Sequence, residues 1–184
     1  MMSTSMERAL KLAAVTGLRC ALGPALVAQA RHRPERQNLA LAAFGEMIFD
    51  KIPHVPSRDT FLSLLARGAA GAWVAHQVIE AEGGEPDPWA APLGAAVAMG
   101  VAVAAPKVRK TLGWGTGMPQ LVLGLIEDYL ALRVGTEALG MSMDEVYGVA
   151  KESMGDLRER LPFEAPVLPW SAESRAQSAG AGSM

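Results

Sequence analysis

Six charged residues stand inside otherwise apolar segments, and their types could together form a site for an ion, a proton or a charged solute. They are Arg19, Glu46, Asp50, Arg67, Glu127 and Asp128. Glu46 and Asp50 are four residues apart, so on a helix they share one face and repel each other. An ionised side chain at the centre of a bilayer costs at least ~2.5 kcal/mol, which favours pairing. Because Arg19 and Arg67 can neutralise two of the four carboxylates, the sequence predicts a charged site enclosed by apolar helices.

Two simpler interpretations of these charges stay open. The pairs could only hold helices together, or the side chains could reach the membrane surface along their aliphatic stems. Lys51 and Arg58 follow the second apolar segment, beside Pro53 and Pro56. We expect both cations at the membrane interface, where they could also bind a lipid phosphate.

Other constellations provide no catalytic residues. The three histidines, His32, His54 and His76, lie in separate segments, and Cys20 is the single cysteine, which excludes an internal disulfide and a cysteine-based metal cluster. No Ser-His-Asp arrangement is visible, although four carboxylates could hold a divalent cation if their segments met. We therefore assign no metal and no cofactor, and an enzyme is the less favoured class.

The composition places the chain among membrane proteins or compact helical proteins. Half of its 184 residues are hydrophobic, and its net charge of −2 argues against a nucleic-acid partner. Residues 1–8 form a short polar start, so no cleavable signal is expected.

Apolar segments that would position the charges predict an all-α fold, a polytopic membrane bundle of four to five helices. We place them at about residues 10–30, 38–52, 60–79, 88–106 and 119–138. The fourth segment contains nineteen residues without one charge, which is long enough for a membrane-spanning helix. A soluble bundle that buries this alanine-rich helix is the alternative.

Two patterns within the segments indicate how the helices pack. Ala96, Gly100 and Ala104 are spaced so that two helix backbones can approach closely in lipid. The string Arg19-x-Ala-x-Gly-x5-Gln29 recurs as Arg67-x-Ala-x-Gly-x5-Gln77. Such an internal sequence repeat favours two repeated hairpins, as in small membrane carriers.

The turns predict an orientation. Residues 107–116 are expected to form a basic turn and a glycine-rich loop with an interfacial Trp114. With five spans, this turn, the N-terminal end and the 51–59 turn share one side. Seven Lys and Arg residues there, against three on the other side, favour that side as cytoplasmic. The C-terminal region lies outside with five spans and inside with four, and both arrangements stay open.

The character of the sequence changes near its C-terminal end. We expect residues 1–140 to form the membrane bundle, 141–161 an amphipathic helix and 162–184 a flexible tail. Ser142 and Glu145 have the spacing of a capping box, in which each residue satisfies a backbone N–H of the other.

The residues after the second segment carry a resemblance to a known family. The string Gly45-Glu46-x3-Asp50-Lys51-x-Pro53-x2-Pro56-Ser57-Arg58, followed by an Arg67-Gly68-x2-Gly71 helix, resembles a bacterial family of small multi-pass membrane proteins. That family is catalogued as a domain of unknown function, number forty-one twenty-six. Gly17-Leu18-Arg19 before a Gly-Pro helix, and Leu125-Ile126-Glu127-Asp128, are also similar to its pattern. The resemblance covers roughly residues 12–139 and implies a helical membrane protein without an established activity.

Three functions follow as alternatives. The first is a small transporter or channel-like protein with a charged intramembrane site. The second is a structural or accessory subunit of a membrane assembly, and the third is a phospholipid-processing membrane enzyme that uses Lys51 and Arg58 to hold phosphate. In each case we expect a multi-pass protein of the bacterial inner membrane, with the lipid bilayer and a homo-oligomer or larger complex as partners.

Overall fold

A computed structural model describes residues 4–49, 60–83 and 87–160, and every regular element in these ranges is an α-helix. The seven helices are α1 (Thr4–Leu18), α2 (Leu22–Ala30), α3 (Arg36–Phe49), α4 (Phe61–Ala81), α5 (Ala90–Thr116), α6 (Gln120–Leu139) and α7 (Met143–Arg160). The all-helical prediction is therefore confirmed.

The first apolar segment folds into a pair of helices, where one helix was expected. The backbone leaves the helical path at Arg19–Ala21, and Pro24 lies in the first turn of α2, where a missing N–H costs little. Near the start of α1, Ser5 and Arg8 donate hydrogen bonds to Glu82, just after α4. The Ser5 hydroxyl, together with Arg8, holds the pKa of Glu82 below its ordinary value of 4.5.

The far end of this helix pair returns to the same region of the molecule. Arg31, which follows α2, donates to the Gln77 side chain in the last turns of α4. Helices α1 and α2 therefore form a hairpin whose two open ends lie near the C-terminal end of α4, with Arg19–Ala21 at its tip. The orientation prediction placed the N-terminal end on the side of the bundle opposite the 31–36 turn. This placement is wrong, because the N-terminal end contacts Glu82, at the same end of α4 as the 31–36 turn.

Close packing of α1, α4 and α5 forms the centre of the bundle. A methyl group added to Gly71 would lie 2.6 Å from the Gly94 carbonyl oxygen, and one added to Gly94 would lie 2.5 Å from that of Gly71. Gly17 of α1 meets α5 at Ala98 in the same way. Only residues without a Cβ allow backbones this near to each other.

The predicted small-residue stripe of α5 lies on another face. Ala96, Gly100 and Ala104 are all exposed, and a methyl group added to Gly100 would have no neighbour within 4 Å. The face that packs on α1 and α4 is offset by two residues and carries Gly94, Ala98 and Ala102. The stripe is therefore not used within the described part of the chain.

Helix α5 is longer than expected, and the basic turn predicted at 107–116 is wrong. The helix continues through Pro106 to Thr116 and ends at Gly117, whose φ of 69° is left-handed and favours glycine. Proline cannot donate to the helix ladder, a loss of about 3 kcal/mol in a helix interior. The ion pair of Arg109 with Glu127 of α6 stabilises the continuation.

Large apolar side chains are exposed along the outer faces of α5 and α6. They include Val103, Val108, Leu112, Leu121, Leu125 and Leu130, each at least 39% exposed. Among the described helices, α5 alone is long and apolar enough to cross a membrane, and only 17% of its most apolar window is buried. Most of this window therefore lies on the surface of the described bundle.

The C-terminal capping box is confirmed. The Ser142 N–H donates to the Glu145 carboxylate at 2.7 Å, and the Glu145 N–H donates to the Ser142 hydroxyl at 3.2 Å, at the start of α7. The chain divides into two compact units, Met1–Ser153 and Met154–Met184. Every contact described here lies within the first unit, and the predicted tail, 162–184, lies outside the described residues.

Candidate charged site at the hairpin tip

The tip of the α1–α2 hairpin exposes backbone N–H groups that α2 cannot satisfy itself. Ala21, the residue before α2, has no capping side chain hydrogen bond. Glu46 of α3 supplies the acceptors instead, because its two carboxylate oxygens receive the N–H groups of Cys20 at 2.9 Å and Ala21 at 3.0 Å. A carboxylate at this position also meets the positive end of the α2 dipole.

Glu46 is held from its other side by α4. Arg67 donates to the same carboxylate at 3.2 Å and also bonds to the Ser63 hydroxyl one turn earlier. Arg67 is 5% exposed. Its Nε has no hydrogen-bond partner among the described residues. One nitrogen of this buried guanidinium is therefore not saturated by the described contacts.

A second ion pair stands next to the tip. Arg19 is 1% exposed and donates through Nε to the Asp128 carboxylate of α6 at 2.6 Å. Another nitrogen of the same guanidinium lies 3.9 Å from Glu127. Removing one member of a buried pair would leave the other charge without compensation.

Arg109 of α5 is a further charged residue near the hairpin tip, and the sequence patterns did not predict it as a site residue. Its Nε donates to Glu127 at 2.9 Å, so Glu127 lies between Arg109 of α5 and Arg19 of the hairpin. Arg109 belongs to the run Lys107–Lys110, which was assigned to a turn. The only signal for its position is the continued apolar character of Val108 and Leu112, which a helix places on neighbouring turns.

The group contains three arginines and three carboxylates, so its formal charges cancel. Glu46 links Arg67 to the backbone of the hairpin tip. Arg19 contacts Asp128 and lies near Glu127, which also accepts from Arg109. We call these six residues the tip network. It joins α3, α4, α5, α6 and the hairpin, and its neutrality lowers the cost of placing charges among apolar helices.

An open groove between α5 and α6 reaches one end of the tip network. It has a volume of about 350 Å³, and Glu127 and Arg109 form its polar part. The remaining lining is apolar and includes Leu18, Val101, Leu112 and Leu130. Glu127 and Arg109 therefore border a groove whose exposed surface is almost wholly apolar.

The structure brings together five of the six predicted site residues around the hairpin tip, as the pairs Arg19–Asp128 and Arg67–Glu46 with Glu127 near Arg19. Asp50, Lys51 and Arg58 lie outside the described residues, so their predicted roles in the site and in binding lipid phosphate stay predictions. Cys20 is half-buried beside Glu46. In the ranges that the structure describes, no three His, Cys, Asp or Glu residues could together hold a metal ion.

No known family model, curated protein or solved structure matches the chain. The resemblance to the bacterial multi-pass family therefore stays a prediction, and the function has to be argued from the tip network and its surroundings.

Proposed function

We propose that the chain is a multi-pass protein of the bacterial inner membrane. Helix α5 is the described helix that is long and apolar enough to cross by itself. In the proposal α3, α4 and α6 cross beside it, because their charged side chains pair inside the bundle instead of facing lipid. The α1–α2 hairpin enters from one side and ends partway through. The exposed apolar faces of α5 and α6 support this arrangement, since lipid tails would cover them. The resemblance to a small multi-pass family is consistent with the same proposal.

Two exposed tryptophans support the proposed depth of α5. Trp89 precedes the helix and Trp114 stands in its last turn; they are 68% and 81% exposed. They are 25 positions apart, which is ~37 Å along an α-helix. A hydrocarbon core is about 30 Å thick and tryptophan favours its two boundaries. Lys110 lies 5.3 Å from the Trp114 ring, as expected of a cation at an interface.

The hairpin tip would then lie near the middle of the bilayer. Gly17 meets α5 at Ala98 and Val101, roughly 14 to 18 Å along that helix from Trp89. Irregular backbone at this depth requires acceptors from the protein, which Glu46 provides. Interrupted helices of this kind bind ions and charged solutes in transporters.

We infer that the tip network binds and passes an ion, a proton or a small charged solute, as in a transporter or channel-like protein. The observation that carries this function is the Glu46 carboxylate, which alone satisfies two backbone N–H groups and also pairs with Arg67. Displacement of the Glu46 carboxylate by an anion would free these three donors together. Its side chain is 21% exposed, more than that of Asp128 at 10% or Glu127 at 13%, so it is the most accessible carboxylate of the network.

A flux assay tests this function. The purified protein is reconstituted into liposomes with an internal pH dye, and proton flux and chloride-coupled flux are followed in separate experiments. We expect flux in the parent protein and at least a tenfold loss in Glu46→Gln, which keeps the side chain's shape but removes its charge. Glu82→Gln is the matched control, because it changes a carboxylate outside the tip network. The absence of both fluxes in the parent, or equal flux in Glu46→Gln and parent, would contradict the proposal.

An accessory subunit is the second candidate, favoured by the exposed stripe Ala96, Gly100 and Ala104. Such a stripe suits the close approach of a helix from another membrane protein. If this function holds, Gly100→Ile removes a stoichiometric partner during detergent purification, whereas Val103→Ile, on an exposed position of the same helix, retains it. A parent protein that purifies alone would count against this candidate.

A further inference from the structure

The turn after α2 carries two arginines in a fixed arrangement. Helix α2 ends with the Arg33 N–H donating to the Ala28 carbonyl at 2.9 Å and the His32 N–H donating to that of Gln29 at 3.0 Å. This is the bond pattern of a Schellman motif, and His32 has the left-handed φ of 49° that the motif requires. The reversal at His32 turns Arg31 and Arg33 toward the same part of α4.

Both arginines converge on Gln77, which is 8% exposed. Arg31 and Arg33 each place a guanidinium nitrogen 2.5 Å from the Gln77 side-chain oxygen. Because both nitrogens lie 2.5 Å from the same oxygen, the Arg31 nitrogen and the Arg33 nitrogen are at most twice that distance apart. Arg31 also donates to the Gln77 backbone carbonyl. A neutral amide thus accepts from two cations at once.

The charge of these two arginines is not balanced by an ion pair in the described ranges. Neither Arg31 nor Arg33 makes a salt bridge there. Glu80 is linked to them only through the Gln77 amide, which donates to it at 3.1 Å, and it also faces His76. Glu35 follows Arg33 by two residues in the same turn and makes no ion pair with either arginine in the described ranges. Like charges held this close repel each other, and an anion between them would relieve the repulsion.

The geometry is suited to a tetrahedral oxyanion. Guanidinium groups present several planar donors, and each arginine uses only part of this set on Gln77. The Trp73 ring lies 5.5 Å from the Arg33 guanidinium and restricts its orientation. Arg36, which extends toward His32 at 3.4 Å, adds a third cation to the same turn.

We infer that Arg31 and Arg33, positioned by Gln77 and Trp73, form a binding site for a phosphate group. The phosphate belongs to an anionic lipid headgroup or to a free phosphate ion, and both would use the same donors. The site is separate from the tip network and does not depend on the proposed transport function. It would add a ligand at the open end of the hairpin.

Native mass spectrometry of the full-length protein tests the inference with two probes. One probe is phosphatidylglycerol in mixed micelles, compared with zwitterionic phosphatidylcholine, and the other is inorganic phosphate. We expect tight binding of one phosphate-bearing probe to the parent and at least a tenfold weaker binding to Arg33→Gln. Arg31 is retained in this variant because it also fixes the turn to the α4 backbone. Phosphatidylglycerol binding alone identifies a headgroup site, and phosphate binding alone identifies a free-ion site.

Two further variants separate this site from a general charge effect. Arg133→Gln removes an equally positive side chain from an exposed position on α6, where it contacts Tyr129, and should leave binding unchanged. Arg33→Lys keeps the charge but not the planar donors, so intermediate binding is expected if the protein is folded. Circular dichroism and thermal unfolding in micelles check that Arg33→Gln is folded. Equal binding by parent and Arg33→Gln, an equal loss in Arg133→Gln, or binding of neither probe would overturn the inference.

Discussion

At the scale of single residues, the Arg19–Asp128 pair shows how tightly the hairpin depends on one contact. Both side chains are at most 10% exposed. Two charges so far from water gain from each other only while both are present, because each alone would have to be desolvated without compensation. The contact links residues 109 positions apart, so it fixes the hairpin tip to α6.

We predict that Asp128→Asn destabilises the folded protein by about 3 kcal/mol, the usual cost of breaking a buried pair. Glu127, 3.9 Å from Arg19, would offset part of this loss. Unfolding in mixed micelles measures the effect, with Glu137→Gln on an exposed position of the same helix as control. The double variant Arg19→Met with Asp128→Leu should recover most of the stability. A double variant as unstable as Asp128→Asn would show that the loss does not come from an uncompensated Arg19 charge.

Residue types alone predicted which charges needed compensation, but not their partners. Two arginines and four carboxylates in apolar segments require pairing on electrostatic grounds. The choice of Asp128 for Arg19 and Glu46 for Arg67 depends on which helices pack together. The sequence did not indicate that Glu46 would accept from backbone N–H groups. Such groups are free of helical hydrogen bonds only where the helix is interrupted, and the interruption was not predicted.

At the scale of helices, glycines decide how near α4 and α5 can approach. We predict that Gly71→Ala destabilises the bundle by roughly 2 kcal/mol, within the range for overpacking a core, because the new methyl group would meet the Gly94 backbone. Gly100→Ala is the matched control on α5, where a methyl group meets nothing and improves helix propensity by up to about 1 kcal/mol. Thermal unfolding of both variants in micelles measures the difference. Equal stability of the two variants would contradict this packing.

Apolar periodicity located most helices, but not their interruptions and extensions. Residues 60–79 and 119–138 correspond closely to Phe61–Ala81 and Gln120–Leu139. The first segment contains Pro24, which is compatible with either one kinked helix or two separate ones. Only the contacts of Glu46 and Asp128 favour the break at Arg19–Ala21. Conversely, Pro106 suggested the end of α5, but the helix continues through it and its last part pairs with α6 through Arg109 and Glu127.

At the scale of the whole first unit, the hairpin decides whether the proposed number of membrane crossings is even or odd. Because α1 and α2 begin and end near the same part of α4, together they would contribute no crossing in the proposed membrane arrangement. The close approach of Gly135 to Leu26 and Val15 places the last turns of α6 beside the hairpin. Four crossings by α3 to α6 would return the chain to the side where it began. A five-span path would not.

Side-specific labelling of single cysteines tests this path in a Cys20→Ser background. We expect Thr4→Cys and Asp144→Cys, both at exposed positions, to react with an impermeant maleimide from the same side of sealed vesicles. Gly115→Cys, in the last turn of α5 and free of neighbours within 4 Å, should react only from the opposite side. Reaction of Thr4→Cys and Asp144→Cys from opposite sides would mean an odd number of crossings. Reaction of all three from one side would show that α5 does not cross, and the exposed apolar faces of α5 and α6 would then need a protein to cover them, because no lipid would.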